Sequence, residues 1–173
     1  MKIEDLYQKV SEFEDQLRPN LTVLSNCKKG CSQCCHTDIS VFGVEAKNIR
    51  NWFQGLNENE RSEIRNRWNQ KKAINACAFL RSDACTIYEA RPLICRTQGL
   101  ALQFKEDLKT FIDICPLNES MLETANEREI MNLDLLNQIL SEIERMDATG
   151  TSRDRMRLED LQILLDSNAN VII

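Results

Sequence analysis

The chain has little of what punctuates and catalyses in many proteins: of 173 residues five are glycine, three are proline and one, His36, is histidine, with aromatics at 6%. With so few turn formers and no low-complexity stretch or internal repeat, a disordered, collagenous or repetitive chain is excluded. A lone histidine and the absence of H-E-x-x-H, G-x-S-x-G or a Gly-rich nucleotide loop leave no standard catalytic motif. No apolar run approaches the length of a membrane span, so no membrane partner is expected. The opening Met1-Lys2-Ile3-Glu4-Asp5-Leu6 has acids where a secretory peptide needs an unbroken apolar stretch, and a reducing, cytoplasmic setting is expected. The net charge of −5 argues against nucleic acid, because phosphate contacts need clustered Lys and Arg.

What is abundant is cysteine, at eight residues. That is below the roughly 8–10% of a disulfide scaffold, and thiols in a reducing compartment stay free unless they bind metal or do chemistry. Charge divides along the chain: residues 1–26 carry a net −2, residues 27–115 a net +4, and residues 116–173 a net −7. Every cysteine lies in the basic segment. Metal-bound thiolates leave residual negative charge that such a segment offsets, although a simple drift of charge accounts for it equally well.

Periodicity predicts a mainly α, single helical domain over 1–173, with an irregular, cysteine-rich, metal-stapled centre at 27–115 between an N-terminal helix (1–26) and acidic C-terminal helices (116–173). Ile3, Leu6, Tyr7, Val10, Phe13 and Leu17 line one helix face, which Arg18-Pro19 closes. Lys28-Lys29-Gly30 reads as a turn, and Ile39 to Phe42 as a short extended piece. A helix follows over 44–53, and Asn57 with Glu60 three residues on caps another running to about Ala76. Residues 77–99 read as loops and brief strands with a short helix near Pro92, and 100–115 carry no clear period. Helices are expected over 120–147 and 153–166, hinged at Thr149-Gly150-Thr151. Phe79 and Tyr88 read as core aromatics. The long 120–147 helix could pair with another protein chain, although its apolar face is no wider than a core helix needs.

The dense run is Cys27-x3-Cys31-x2-Cys34-Cys35, followed by His36. As a helix it would set all four sulfurs within a stripe of about 100°. If Gly30 breaks that helix, Cys31-x2-Cys34 still forms a metal knuckle. In the vicinal pair Cys34-Cys35 the side chains diverge, so both rarely serve one tetrahedral zinc and more easily reach different irons of a cluster, or different metals. Cys77, Cys85, Cys95 and Cys115 make no second C-x2-C knuckle, which favours an iron–sulfur cluster over zinc, since clusters accept scattered thiolates. Arg81, Arg91 and Arg96 are spaced among them as potential donors to sulfur, and His36 is a ligand, a donor or a surface residue. Cys115 reads equally as a ligand or a small buried hydrophobe.

The runs Cys27-Lys-Lys-Gly-Cys31-Ser-Gln-Cys34-Cys35, Cys77-Ala-Phe-Leu80 and Cys85-Thr-Ile-Tyr-Glu-Ala-Arg91-Pro92-Leu-Ile-Cys95-Arg96 resemble the YkgJ-type cysteine-cluster family. The usual C-x2-C-x2-C-C opening is one residue longer here, so Cys27 approaches the metal from a different turn or lies outside its coordination sphere. The resemblance implies zinc or iron chelation through Cys27, Cys31, Cys34, Cys35, Cys77, Cys85, Cys95 and Cys115, with Arg91, Arg96 and His36 beside the cofactor. Flagellin lysine methylases are similar in part, and that branch is associated with an iron–sulfur centre. Two other readings stand beside metal binding. One is a metal-dependent enzyme that transfers methyl groups to, or oxidises, a peptide, drawing acid–base groups from Asp38, Glu89, Tyr88 or Asp113. The other is a thiol redox protein using Cys31-x2-Cys34, without the β-α-β context of a thioredoxin-like fold.

Overall fold

The computed structural model describes residues 1–24, 30–147 and 155–167, with side chains of 18–24 left out. In chain order the elements are α1 (Ile3–Leu24), β1 (Ser40–Val41), α2 (Gly43–Gly55), α3 (Glu58–Trp68), β2 (Leu80–Arg81), β3 (Ala84–Cys85) and α4 (Leu93–Arg96). Then come β4 (Leu102–Glu106), β5 (Lys109–Asp113), β6 (Met131–Asn132), α5 (Leu133–Met146), β7 (Met156–Arg157) and α6 (Leu158–Asp166). The fold is mainly α, with three small sheets among the described residues, ordered β1-β7, β2-β3 and β5-β4-β6. No described helix is long and apolar enough to cross a membrane. The chain divides into two compact units, Met1–Lys28 with Leu93–Ile143, and Lys29–Pro92 with Glu144–Ile173.

In the first unit, Ile3, Leu6, Tyr7, Val10 and Leu17 are buried along α1, as their three- and four-residue steps dictate. The helix does not close at Pro19 but runs on to Leu24. A proline inside a helix forfeits one backbone donor, and here that loss does not end it. Residues 100–115 resolve into the hairpin β4–β5, paired from Leu102 with Asp113 to Glu106 with Lys109 across the turn Asp107-Leu108. Both turn residues have positive φ, the signature of the two-residue turn that matches strand twist. Phe104 and Phe111 stack across this hairpin at 5.6 Å. Beside it, the buried side-chain amide of Asn118 donates to the Gly99 carbonyl (3.0 Å), fixing the 3-10 turn that follows Cys115.

The expected helix over 120–147 is corrected to α5 alone, from Leu133. Upstream, asparagine side chains compete with the helical ladder: Asn126 accepts from the Arg128 N–H at 3.0 Å and Asn132 from the Leu135 N–H at 2.9 Å. Met131 meanwhile pairs with Leu102 in the sheet. Only from Leu133 does the apolar stripe continue unopposed, burying Leu136, Leu140 and Ile143.

In the second unit the core gathers Val41, Ala46, Ile49, Phe53, Trp68, Phe79, Ile87, Leu158, Leu161 and Leu165. Trp68 stacks on Phe53 at 5.2 Å and tilts against Phe79 at 5.7 Å. Its indole N–H donates to the Thr86 hydroxyl (2.8 Å), which donates to the Phe79 carbonyl (2.9 Å), so both of these buried side chains are satisfied. The extended piece at Ile39 to Phe42 is present as β1, paired with β7.

At the start of α2, Glu45 accepts from the Phe42 N–H and Glu144 accepts from the Val44 N–H at 2.7 Å, negative charge meeting a helix N-terminus. A Cβ at Gly43 would lie 2.8 Å from the Glu144 carboxylate and would make that side chain shift. The Asn57–Glu60 capping box opens α3 as the sequence predicts. That helix ends at Trp68 rather than Ala76, because Asn69, Gln70, Lys71, Ala73, Ile74 and Asn75 are all exposed and offer no face to bury. Tyr88, expected in the core, is 56% exposed. The hinge Thr149-Gly150-Thr151 and the Lys28-Lys29 part of the predicted turn lie outside the described residues.

Candidate metal centre

Gly30 has φ +90°, and Cys31, Cys34 and Cys35 after it are not in an α-helix, so these three do not form the helical stripe. A 3-10 turn over Gln33–Cys35 follows, closed by the Cys35 N–H donating to the Ser32 carbonyl at 2.8 Å. The buried Ser32 hydroxyl donates to the Asp83 carboxylate at 2.8 Å, tying this loop to the tip of the β2–β3 hairpin. Ser82 and Asp83 both have positive φ there, the same turn chemistry as at Asp107-Leu108. Neither Ser32 nor Asp83 carries a sequence signal for this role, since the two are 51 residues apart.

A relay of backbone bonds then brings three cysteines together. The Cys77 N–H donates to the Cys35 carbonyl at 2.7 Å, the Leu80 N–H to the Cys77 carbonyl at 3.0 Å, and Leu80 pairs with Cys85 across the hairpin. Arg81 holds the relay from beneath. Only 5% exposed, it donates to the carbonyls of Ala78 (2.8 Å), Leu80 (2.7 Å) and Trp68 (2.7 Å). Its expected role as a donor to sulfur is corrected to this clamp on the backbone that carries Cys77 and Cys85.

Charge and hydrogen bonding set the four thiols apart from one another. The Cys35 thiol donates to the Cys34 sulfur, and this bond, helped by backbone donation and the Arg91 and His36 charges and opposed by partial burial, brings Cys34 down to about 6. The same bond holds the proton on Cys35, whose thiol is pushed up further by burial and by the Cys34, Cys77 and Cys85 charges. Burial also raises Cys77 and Cys85. Arg91 opposes the rise at Cys85; its guanidinium lies 3.6 Å over the Tyr88 ring. In metal-free, reduced protein at neutral pH, Cys34 is therefore expected to alkylate first, its rate falling as pH drops through about 6, while Cys77 and Cys85 need alkaline solution. Peptide mass spectrometry after short iodoacetamide pulses checks this, and an ordinary thiol profile at Cys34 counts against the arrangement.

An open cleft of about 430 Å³ lies beside Cys77, lined also by His36, Asp38, Lys72, Asn75 and Glu159 among others. Lys72 and Glu159 approach to 3.7 Å across it, and Asp38 pairs with Arg157 at 3.2 Å. Neither Lys72 nor Glu159 stood out in the sequence. Tyr88 and Glu89 sit in an exposed 3-10 turn of the same unit. Cys95, Cys115, Arg96 and Asp113 belong to the first unit, where the Arg96 guanidinium lies 4.3 Å over the Tyr7 ring. Cys27 lies outside the described residues.

The donor set has the chemistry a thiophilic metal requires: Cys34 gives up its proton readily, while Cys35, Cys77 and Cys85 hold theirs, Cys35 chiefly through its bond to Cys34 and the other two through burial, a balance that a bound cation would reverse. Among the described residues no three His, Cys, Asp or Glu side chains are already spaced to hold an ion. The second unit thus carries Cys35, Cys77 and Cys85 on one relay of backbone hydrogen bonds. Residues 26–116 match the family CxxCxxCC, described as a "Putative zinc- or iron-chelating domain", and the chain belongs to that family. No curated protein and no solved structure matches the chain.

Proposed function

We propose that this protein is a cysteine-ligated metal carrier whose second unit holds an iron–sulfur cluster through Cys34, Cys35, Cys77 and Cys85, with Cys31 as a fifth thiol beside them. The observation that carries the reading is the vicinal pair, Cys34 hydrogen-bonded to Cys35, with the Cys77 and Cys85 charges also acting on Cys35. Adjacent side chains suit separate irons better than one tetrahedral zinc. When bound, such a cluster supplies one-electron chemistry tuned by nearby charge. Arg91 and His36 would lend positive charge at Cys34, and Arg81 would lend it at Cys77.

The test is an absorption spectrum with iron, zinc and acid-labile sulfide analysis on protein purified without oxygen. Brown protein with absorbance near ~400 nm and sulfide matching iron is expected. Colourless protein holding stoichiometric zinc would overturn the cluster and leave a zinc-chelating domain.

A further inference from the structure

Strand β5 is the outer strand of the sheet β5-β4-β6, and all five of its residues are exposed. Exposed sheet edges are commonly blunted by proline, a bulge or charged side chains, and β5 carries one charge of each sign, at its two ends. Here Lys109-Thr110-Phe111-Ile112-Asp113 contains no proline and pairs with β4 without a break. It also presents apolar surface, with Phe111 41% exposed, Ile112 46% and Leu108 fully exposed at the turn.

The phase of the hairpin settles which backbone groups are open. A two-residue turn makes Glu106 and Lys109 a hydrogen-bonded pair, so by alternation Phe111 and Asp113 also bond to β4. The N–H and C=O groups of Thr110 and Ile112 then point away from the sheet.

We propose that β5 is the contact strand of a symmetric homodimer, pairing antiparallel with β5 of a second copy about a two-fold axis at Phe111. In that register Thr110 of each copy faces Ile112 of the other, and the two pairs exchange two hydrogen bonds each through the outward groups. Phe111 meets its own copy, Leu108 lies across from Ile114, and Lys109 stands opposite Asp113 at both ends. These last are non-hydrogen-bonded pairs, in which Cα atoms approach to about 4.5 Å and side chains interact most closely. Other registers lack this match. An axis at Lys109 or at Asp113 sets like charges face to face, one at Thr110 puts Asp113 against Asp107, and one at Ile112 puts Phe111 against Asp113. The self-complementary charge is what selects a second copy of this chain over an unrelated extended peptide.

Sedimentation velocity on the metal-loaded full chain, in reductant to exclude disulfide dimers, tests the proposal over a dilution series. A dimer that dissociates on dilution is expected. Lys109→Asp should weaken it about ten-fold or more, by replacing two attractive pairs with two repulsive ones. The double reversal Lys109→Asp with Asp113→Lys should restore it. Because the double variant keeps the change opposite Glu106 within the hairpin, its recovery separates the dimer contact from folding, and circular dichroism checks that each variant is folded. A chain that is monomeric throughout, a dimer indifferent to Lys109→Asp, a folded double variant that stays monomeric, or a monomer whose β5 is capped by a foreign peptide would each overturn the proposal.

Discussion

Replacing Arg81 with methionine is expected to destabilise the second unit by about 3–5 kcal/mol and to strip the protein of metal. The side chain is buried, and its guanidinium is the hydrogen-bond donor for three carbonyls, those of Ala78, Leu80 and Trp68. Methionine fills the volume of the stem but leaves those acceptors unsatisfied, each at a cost of roughly 1–3 kcal/mol. Lysine should recover little, since one ammonium cannot reproduce a planar fork that reaches Trp68 on one side and Ala78 and Leu80 on the other. Burial alone pushes the guanidinium towards losing its proton, and the Cys77 sulfur acts the opposite way, so clamp and thiolate stabilise each other. Urea unfolding of Arg81→Met and Arg81→Lys, with metal content measured on the same samples, checks both halves. A variant that unfolds like the parent and keeps its metal would mean that the Cys77 and Cys85 backbone is held by something else.

The sequence makes such a clamp hard to see. Arg81 stands among the cysteines, and its spacing there suggests a partner for sulfur; only the path of the chain turns its fork toward carbonyls up to 13 residues away. What is legible is local. The Asn57–Glu60 capping box, the α1 stripe and the brief strands around Cys85 follow from short-range period and capping chemistry. What is illegible depends on partners distant in the chain. The expected helix over 120–147 has the right apolar steps, yet Asn126 and Asn132 cap shorter turns and Met131 is drawn into pairing with Leu102. Residues 100–115 lack period because β5 is exposed on every residue, so no alternation of burial marks it as a strand. The family was readable from the C-x-I-Y-x-x-R-P-x-x-C-R run together with the vicinal cysteines. The bonds that assemble Cys35, Cys77 and Cys85 run between backbone atoms, which no side-chain pattern records.

Removal of the Cys77 thiol should weaken metal binding strongly, because Cys77→Ala deletes one donor while the Cys77 N–H and carbonyl still hold the relay. In the metal-free protein Cys35, Cys77 and Cys85 keep their protons: burial disfavours each thiolate, and each charge would raise its neighbours. Arg91, Arg81 and Lys72 offset only part of this. A bound cation must therefore displace those protons. Its affinity should rise with pH through the neutral range and into the alkaline, with proton release on binding, and it should weaken as the solution is acidified. If a thiolate site of this kind is worth about 10–16 kcal/mol, one donor in four contributes roughly 3–4 kcal/mol, so Cys77→Ala should lose about 10²–10³ in affinity. Arg91→Ala leaves every sulfur in place and removes only a neighbouring charge, for which a loss of about 10–100-fold is expected. Competition against a chromophoric chelator, run on both variants as pH is raised, distinguishes ligand from neighbour. Parent-like affinity in a folded Cys77→Ala protein, or binding that releases no protons, would place the metal away from the Cys35–Cys77–Cys85 platform.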